Sequence, residues 1–511
     1  MSTDPGATLT DPTPADRYHA RPLGALAGVG RASLRSARVW MRLPSCRRAT
    51  IGVQRRDQPE TRQSTVLELP EAGERDHTHT VDLAGLGHKL DPDTAYDVVV
   101  IADGHAHRCR FRTTPPPTSR DRICFAVGSC HDPFREDGHE DAASMDFLRA
   151  IPDCLASFDV RHTFLLGDQV YSDLPASVSL FHEPYFRTVA PPGVETVLDA
   201  SRAQVRRLYQ QRYHYGWKGS EWHALQAATS TSMLLDDHDI VDNFGTAPEH
   251  STERWRALRE GALDAYHDYQ GSRFLEARGS HASAVFDLGR VRVIQLDIRS
   301  ERRHDGHHVQ VFDEAEAFLD RALREGADAS VLCIALPVPI AHVPDWLIDH
   351  ARTVEGPDGD AADRWSAAPT RRARDQLLAR IHAHQAAHPR QRLLLLGGDT
   401  HAGAIGTLEW ADGTPSALQL VSSAISNAQA PWVRLLSEKA PSFVHRLEDP
   451  SGASYGTVSL LEAEGTNPFG RLNLGLVEVA WKEGRDRVRL SLVGPTAEAP
   501  GWAVAAQTGW L

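Results

Sequence analysis

Two hydrophobic rhythms divide this chain. From residue 21 to about 114, apolar and polar positions alternate in short runs at 36–43, 49–53, 78–83, 97–101 and 108–113, with Gly and Pro between them. A period of two predicts strands buried on one face, and several at regular spacing predict a β-sandwich. After Pro115-Pro116-Pro117, a stiff linker, the rhythm changes. Short, continuously apolar runs stand at 123–127, 163–166, 232–235, 291–296, 331–336 and 393–396. Between them lie amphipathic stretches of helical period, at 142–158, 202–215, 253–269, 314–324 and 371–386. Strands covered on both faces read this way, so an α/β unit is expected. Alternation returns at 472–481 and 487–493 around Glu483-Gly484-Arg485-Asp486, which predicts a closing hairpin. The expected division is a flexible tail at 1–20, the sandwich at 21–117, the α/β unit at 118–495 and a C-terminal tail at 496–511.

A length of 511 residues suits two or three units better than one. The apolar fraction of 41% and charged fraction of 24% are those of a soluble globular protein. A net charge of −13 argues against sequence-independent nucleic-acid binding, which needs basic surface, although a local basic pocket for one phosphate is allowed. The six cysteines form no CxxC pair, and Cys124 and Cys333 lie in apolar runs, so buried thiols are expected and no disulfide framework. The first twenty residues carry no basic n-region, apolar h-region or twin arginine, and no stretch approaches the length of a membrane span. The chain as written is expected to be cytoplasmic, exported only with a leader that these residues do not contain. The Tyr96 segment has the form of an immunoglobulin or fibronectin-type corner.

The candidate chemistry sits where apolar runs end. Four segments do this: Gly128-Ser129-Cys130-His131-Asp132, Gly167-Asp168-Gln169-Val170-Tyr171, Asp236-Asp237-His238-Asp239 and Gly398-Asp399-Thr400-His401. Ligands in open α/β sheets bind at the carboxyl ends of strands, so four loops can converge on one site. Asp168 with a phenol three residues on suits a hard, highly charged metal such as Fe(III). Three acids around His238 are costly at a strand end unless cations or other partners neutralise them. Asp237 is the best ligand candidate there and His238 the best proton donor to a leaving oxygen. Asp239 suits a cap on backbone N–H groups, and Asn243 can add a neutral oxygen ligand. Asp399 and His401 can face the same site from one turn. Cys130 reads equally as a metal-bound thiolate, a nucleophile or an inert buried thiol. Asp297, Arg299, Arg302 and Arg303 follow another apolar run. Arginines there can clamp phosphate oxygens or make structural ion pairs, with Arg299 favoured as the clamp. His342 reads as structural. The stretches 177–222 and 345–369 are long enough to wall a pocket, with Trp346 and Trp365 as candidates for its mouth.

Taken in order, Gly-Ser-Cys, Gly-Asp-x-x-Tyr, Asp-Asp-His and Gly-Asp-x-His resemble the alkaline phosphatase D (PhoD-like) family of metallophosphoesterases, and Leu296-Asp297-Ile298-Arg299 is similar to its Leu-Asp-x-Arg segment. The family usually has Glu where this chain has Asp239. The resemblance implies a four-layer αββα calcineurin-like catalytic sandwich behind the all-β domain. It implies that Cys130 and Tyr171 ligate Fe(III), so that Cys130 is a ligand and no nucleophile. Asp168 would bridge to one or more divalent ions, Ca(II) foremost and Mn, Mg or Zn as alternatives. Asp237, Asp399 and His401 would complete the site, and His238 would be the catalytic histidine. The activity implied is hydrolysis of small-molecule or lipid phosphate esters, mono- or diesters, by a metal-activated hydroxide. Alternatives are a phospholipase-D-like phosphodiesterase of the same family, a binding protein with a vestigial metal site, or a thiol-dependent hydrolase using Cys130.

Overall fold

The computed structural model describes residues 12–511 apart from 21, 45, 357–358, 428–438, 440–441, 443 and 450. The alternating N-terminal region forms two antiparallel sheets. One holds Leu26–Ala32, Ala37–Arg42 and Thr78–Asp82; the other holds Gln63–Glu68, Arg48–Arg55, Ala95–Ala102 and His105–Arg112. Val39, Met41, Ile51, Val53, Val98 and Val100 pack between them. Tyr96 turns the corner as its position suggests: its Oη accepts the N–H of Asp91 at 2.7 Å.

The six apolar runs are all strands, sorted into two sheets. The seven-stranded sheet runs Ser230–Leu234, His162–Leu166, Ile123–Gly128, Leu474–Lys482, Arg485–Pro495, Trp502–Gln507 and Glu464–Gly465. Its first three strands are parallel, and the expected hairpin joins them antiparallel. The eight-stranded sheet runs Ala284–Leu288, Val291–Gln295, Val331–Ala335, Arg392–Gly397, Ala417–Val421, Ala404–Trp410, Ser454–Leu460 and His445–Glu448. It is parallel from Val291–Gln295 to Ala417–Val421.

Individual strands show why their sequences are apolar throughout. Ile123, Phe125 and Val127 point into a core between the sheets, while Cys124 and Ala126 face a second core under Ala142–Ser157, Arg202–Gly216 and Glu253–Tyr269. Val331, Cys333 and Ala335 meet the same inter-sheet core; Leu332 and Ile334 face Glu314–Glu325 and Ala368–Ala387. The result is the four-layer αββα arrangement. Both layers of helix cover apolar sheet, so neither sheet keeps the polar face that would restore alternation.

Each expected tail contains an element among its described residues. In 496–511 the strand Trp502–Gln507 pairs with Arg485–Pro495, and Leu511 exchanges backbone bonds with Val488. The carriers of that edge, Ala503, Ala505 and Ala506, are too small to give a hydrophobic rhythm. Within 1–20, Pro14–His19 is a short helix with a Thr13/Asp16 capping box and a buried Tyr18; residues 1–11 lie outside the described part. The sandwich is docked on the αββα layers. Trp40 is buried, donates to the Asp268 carbonyl at 2.8 Å and lies under the Arg273 guanidinium. The backbones meet so closely at Gly30 that a Cβ there would stand 2.1 Å from the Arg273 carbonyl oxygen.

Candidate metal centre

The four motifs directly follow Ile123–Gly128, His162–Leu166, Ser230–Leu234 and Arg392–Gly397, at the carboxyl ends of parallel strands in both sheets. Their turns are tightly constrained. Cys130, Asp168, Asn243, Asp399 and His401 have φ values of 57°, 57°, 55°, 61° and 51°. A left-handed conformation costs a non-glycine residue on the order of 1–2 kcal/mol, so its repetition at five expected ligands marks a geometry imposed by surrounding packing. Gly167, at φ 102°, sits where a Cβ would come within 2.4 Å of Asp236 Cβ. A Cβ on Gly398 would stand 2.5 Å from Ser129 Oγ. These two glycines let neighbouring strand ends close on one another.

Polar cross-links fix the closure. Ser129 Oγ accepts the N–H of Asp399 at 3.1 Å, and the N–H of Cys130 donates to the Gly167 carbonyl at 3.1 Å. Ser423 Oγ donates to Cys130 Sγ and accepts the N–H of His401, both at 3.1 Å. Asp239 points away from the centre: one carboxylate oxygen accepts the N–H groups of Asp168 at 3.0 Å and Asp236 at 2.9 Å, and Gln270 donates to the other at 2.7 Å.

Asp168 is the hub. Cys130 Sγ and Tyr171 Oη each lie 3.4 Å from its Oδ2. Asp168, Asp236, Asp237 and Asp399 each have an oxygen within 4.8 Å of the others, and Asp168, Asp237 and His238 form a second such group. Asp168 Oδ1, Asp236 Oδ2, Asp237 Oδ1 and His401 Nδ1 are buried without a hydrogen-bond partner among the described residues. Burial pushes the Asp168 carboxyl well above its ordinary range, and Asp237 and Asp236 push it further. Asp236 is pushed up to about 7 by burial, against the pull of Arg299. Carboxylates so placed hold their charge only beside cations. Burial lowers His401 to about 3, which leaves the neutral imidazole that metals bind. The donor set fits metal ions.

Burial works against a proton on His238, yet Asp173 and Asp237 more than offset it and hold the imidazolium well above the usual range. Asp173 accepts from Nδ1 at 2.9 Å, and the ring lies 4.3 Å from that of Tyr171. Asn243 lies at the rim, its backbone N–H on Asp237 Oδ2 at 2.6 Å and its amide nitrogen 3.3 Å from Asp360 Oδ1. Cys130 is fully buried, and burial plus the neighbouring Asp168 push its thiol well up, which speaks against an accessible nucleophile.

Arg299 is in a different place from the one expected of a phosphate clamp. It is 0% exposed, with Nε on Asp236 and Nη1 and Nη2 on Asp363 at 2.7 and 2.6 Å. Its donors are used inside the protein because Asp236 and Asp363 are both buried and both need a cation. Arg302 joins Asp363 at 2.6 Å, and Arg303 is exposed beside Asp313. Trp365 is buried against the outer helix layer. Trp346 is exposed beside a separate groove of ≈ 1200 Å³ lined with Asp345, Arg371 and His445. His342 is buried.

Sequence reasoning passed over Asp173, Asp360, Arg364, Ser423 and Asn427. Asp173 closes the same segment as Tyr171, so a carboxylate two residues beyond the phenol was a usable signal. Ser423 lies just past Ala417–Val421, a parallel strand not read as one. Asn427 bonds Tyr171, and Arg364 Nη1 contacts Asp399 Oδ2; nothing in their local sequence marks either.

The family described as PhoD-like phosphatase matches residues 125–446, well over half the chain and all four motifs. Among solved structures, that of PhoD is similar at 15% identity over 95% of this chain and 89% of the other, with a TM-score of 0.61. A purple acid phosphatase isolated from yellow lupin (Lupinus luteus) seeds is similar at 10% identity over 92% and 72%, with a TM-score of 0.50. Among curated proteins no sequence matches.

Proposed function

This chain belongs to the PhoD-like phosphatase family and has a metallophosphoesterase fold, and from that premise we propose that it hydrolyses phosphate mono- or diesters with metal ions bound at the four strand ends. The observation that carries the proposal is the buried set Asp168, Asp236, Asp237 and Asp399, whose oxygens come within 4.8 Å of one another. Metal ions bound there supply Lewis acidity, which draws charge from phosphoryl oxygens and eases deprotonation of water. In this reading Asp168, which belongs to both groups of clustered donors, would be a ligand of the bound metal. Cys130 and Tyr171, gathered on its Oδ2, are assigned to Fe(III), since a thiolate is a poor ligand for Mg or Ca and a phenolate is a hard anionic donor. Asp237, Asn243, Asp399 and His401 are assigned to the remaining positions, where oxygen-rich ligation favours Ca(II), with Mn, Mg or Zn as alternatives.

The chain's own part in catalysis centres on one proton. Asp173 holds His238 through Nδ1, and Nε2, which stands 3.6 Å from Asp242 Oδ1, is the nitrogen assigned to give its proton to the leaving alkoxide as the P–O bond breaks. Water provides the new bond to phosphorus, and its proton passes to solvent. The substrates proposed are small-molecule or lipid phosphate esters; the net charge of −13 weighs against nucleic acid. No helix among the described residues is long and apolar enough to cross a membrane.

The test is an assay of metal-replete protein with an aryl phosphate and a bis-aryl phosphate, before and after chelation. Hydrolysis of at least one ester is expected, lost on chelation and restored when metal is returned. Failure to cleave either, or full turnover after stripping, would sink the proposal.

A further inference from the structure

The expected phosphate clamp, Arg299, is sealed inside the protein, yet its ion pairs lead to another arginine. Arg299 and Arg302 pin Asp363, and the next residue, Arg364, reaches Asp399 with Nη1. The side chains of Arg299 and Arg302 are 0% and 2% exposed; that of Arg364 is 23% exposed, and Asp399 beside it 12%. Arg364 therefore touches both the acidic cluster and solvent. The short helix Asp360–Asp363 just before Arg364 begins with another carboxylate. Asp360 in turn receives the Asn243 amide. The segment 360–364 thus covers one flank of the site, anchored from behind by Arg299 and presenting Arg364 in front.

We propose that Arg364 is the residue that binds the substrate's phosphoryl oxygens, and that it shares Asp399 with the metal ions. A guanidinium offers a planar pair of donors matched to two phosphate oxygens, which a lysine cannot reproduce. Arg364 touches Asp399 through Oδ2, so a metal ion bound to the same oxygen would compete with the guanidinium for it. A metal ion bound to Asp399 weakens the hold of that carboxylate on Arg364 and leaves its donors to an incoming phosphate. The proposal rests on the metallophosphoesterase reading above. It makes Arg364 a competitor of metal and a partner of phosphate, and the two roles move in opposite directions on mutation.

The experiment compares wild type, Arg364→Ala and Arg364→Lys by calorimetry. Chelated protein is titrated with Mn(II), and metal-replete protein with inorganic phosphate, while circular dichroism and melting control for folding. For Arg364→Ala, phosphate affinity should fall roughly tenfold or more, with Arg364→Lys between it and wild type, whereas Mn(II) affinity should stay level or rise. Unchanged phosphate affinity in Arg364→Ala would overturn the proposal alone. So would a joint fall in metal and phosphate affinity, because Arg364 would then be orienting Asp399 as a ligand. Wild-type protein that takes up no metal would overturn the metallophosphoesterase reading itself, and this inference with it.

Discussion

Asp173 illustrates how one side chain can decide the behaviour of another. As the proposed proton donor His238 must be protonated, and burial opposes it; Asp173, at 2.9 Å from Nδ1, supplies the opposing field. Asp173→Asn should lower kcat by roughly ten- to a hundredfold with little change in KM, since the proton is needed in the transition state and contributes little to binding. Steady-state kinetics on metal-replete protein checks this, and an unchanged kcat would move the proton donor elsewhere. At this scale the sequence was legible where a residue closes an apolar run: Asp168, Asp237, His238, Asp399 and His401 all do. It was illegible where a residue arrives by tertiary contact. Arg299 follows a strand as a site residue should, yet two buried carboxylates draw it inward. Arg364 follows no strand and still reaches Asp399.

Elements meet at the site through strand-end turns, and Asp239 ties two of them. Its carboxylate receives the N–H groups of Asp168 and Asp236, which join the turns after His162–Leu166 and Ser230–Leu234. Asp239→Ala would leave two buried donors unpaired, at a cost of about 1–3 kcal/mol each. Chemical denaturation should register a loss of that size, and wild-type stability would contradict the tie. This position is where the chain departs from the Glu usual in the family it resembles, and the structure gives the shorter side chain a backbone-capping task. Strands buried on both faces were readable from their unbroken apolar runs. Ala404–Trp410, Ser454–Leu460 and Trp502–Gln507 escaped because small or polar residues interrupt them, although their backbones complete the sheets.

At the scale of the whole molecule, neighbouring strands of the seven-stranded sheet are tied by ion pairs to a buried carboxylate. Glu478, its side chain fully buried in the seven-stranded sheet, bonds Arg122 and Arg489, the latter at 2.7 Å. Burial raises its pKa, but the bonds from Arg489 and Arg122 prevail and hold it below the ordinary value. Its contribution is complete above the unfolded carboxyl's pKa of about 4.3 and is lost as pH falls through the lower folded value. Glu478→Gln should therefore be less stable than wild type at neutral pH, by about 1–3 kcal/mol because both arginines are partly solvated, and the gap should close as pH falls through the folded carboxyl's lowered value. A gap that stays constant across an acid titration of unfolding would rule out the ionised clamp. The same logic of buried charge applies at the centre: Asp168, Asp236, Asp237 and Asp399 come together from three strand ends, and bound cations would offset their mutual repulsion.

The most direct measurement of that claim is the metal content of purified protein, wild type beside Asp168→Asn, by elemental analysis with circular dichroism as the folding control. The account predicts bound metal in the wild type and loss of most of it in the variant, with the secondary structure retained, because Asp168 is the oxygen donor common to both flanks of the site. A folded Asp168→Asn protein that keeps the full wild-type complement of metal would contradict it.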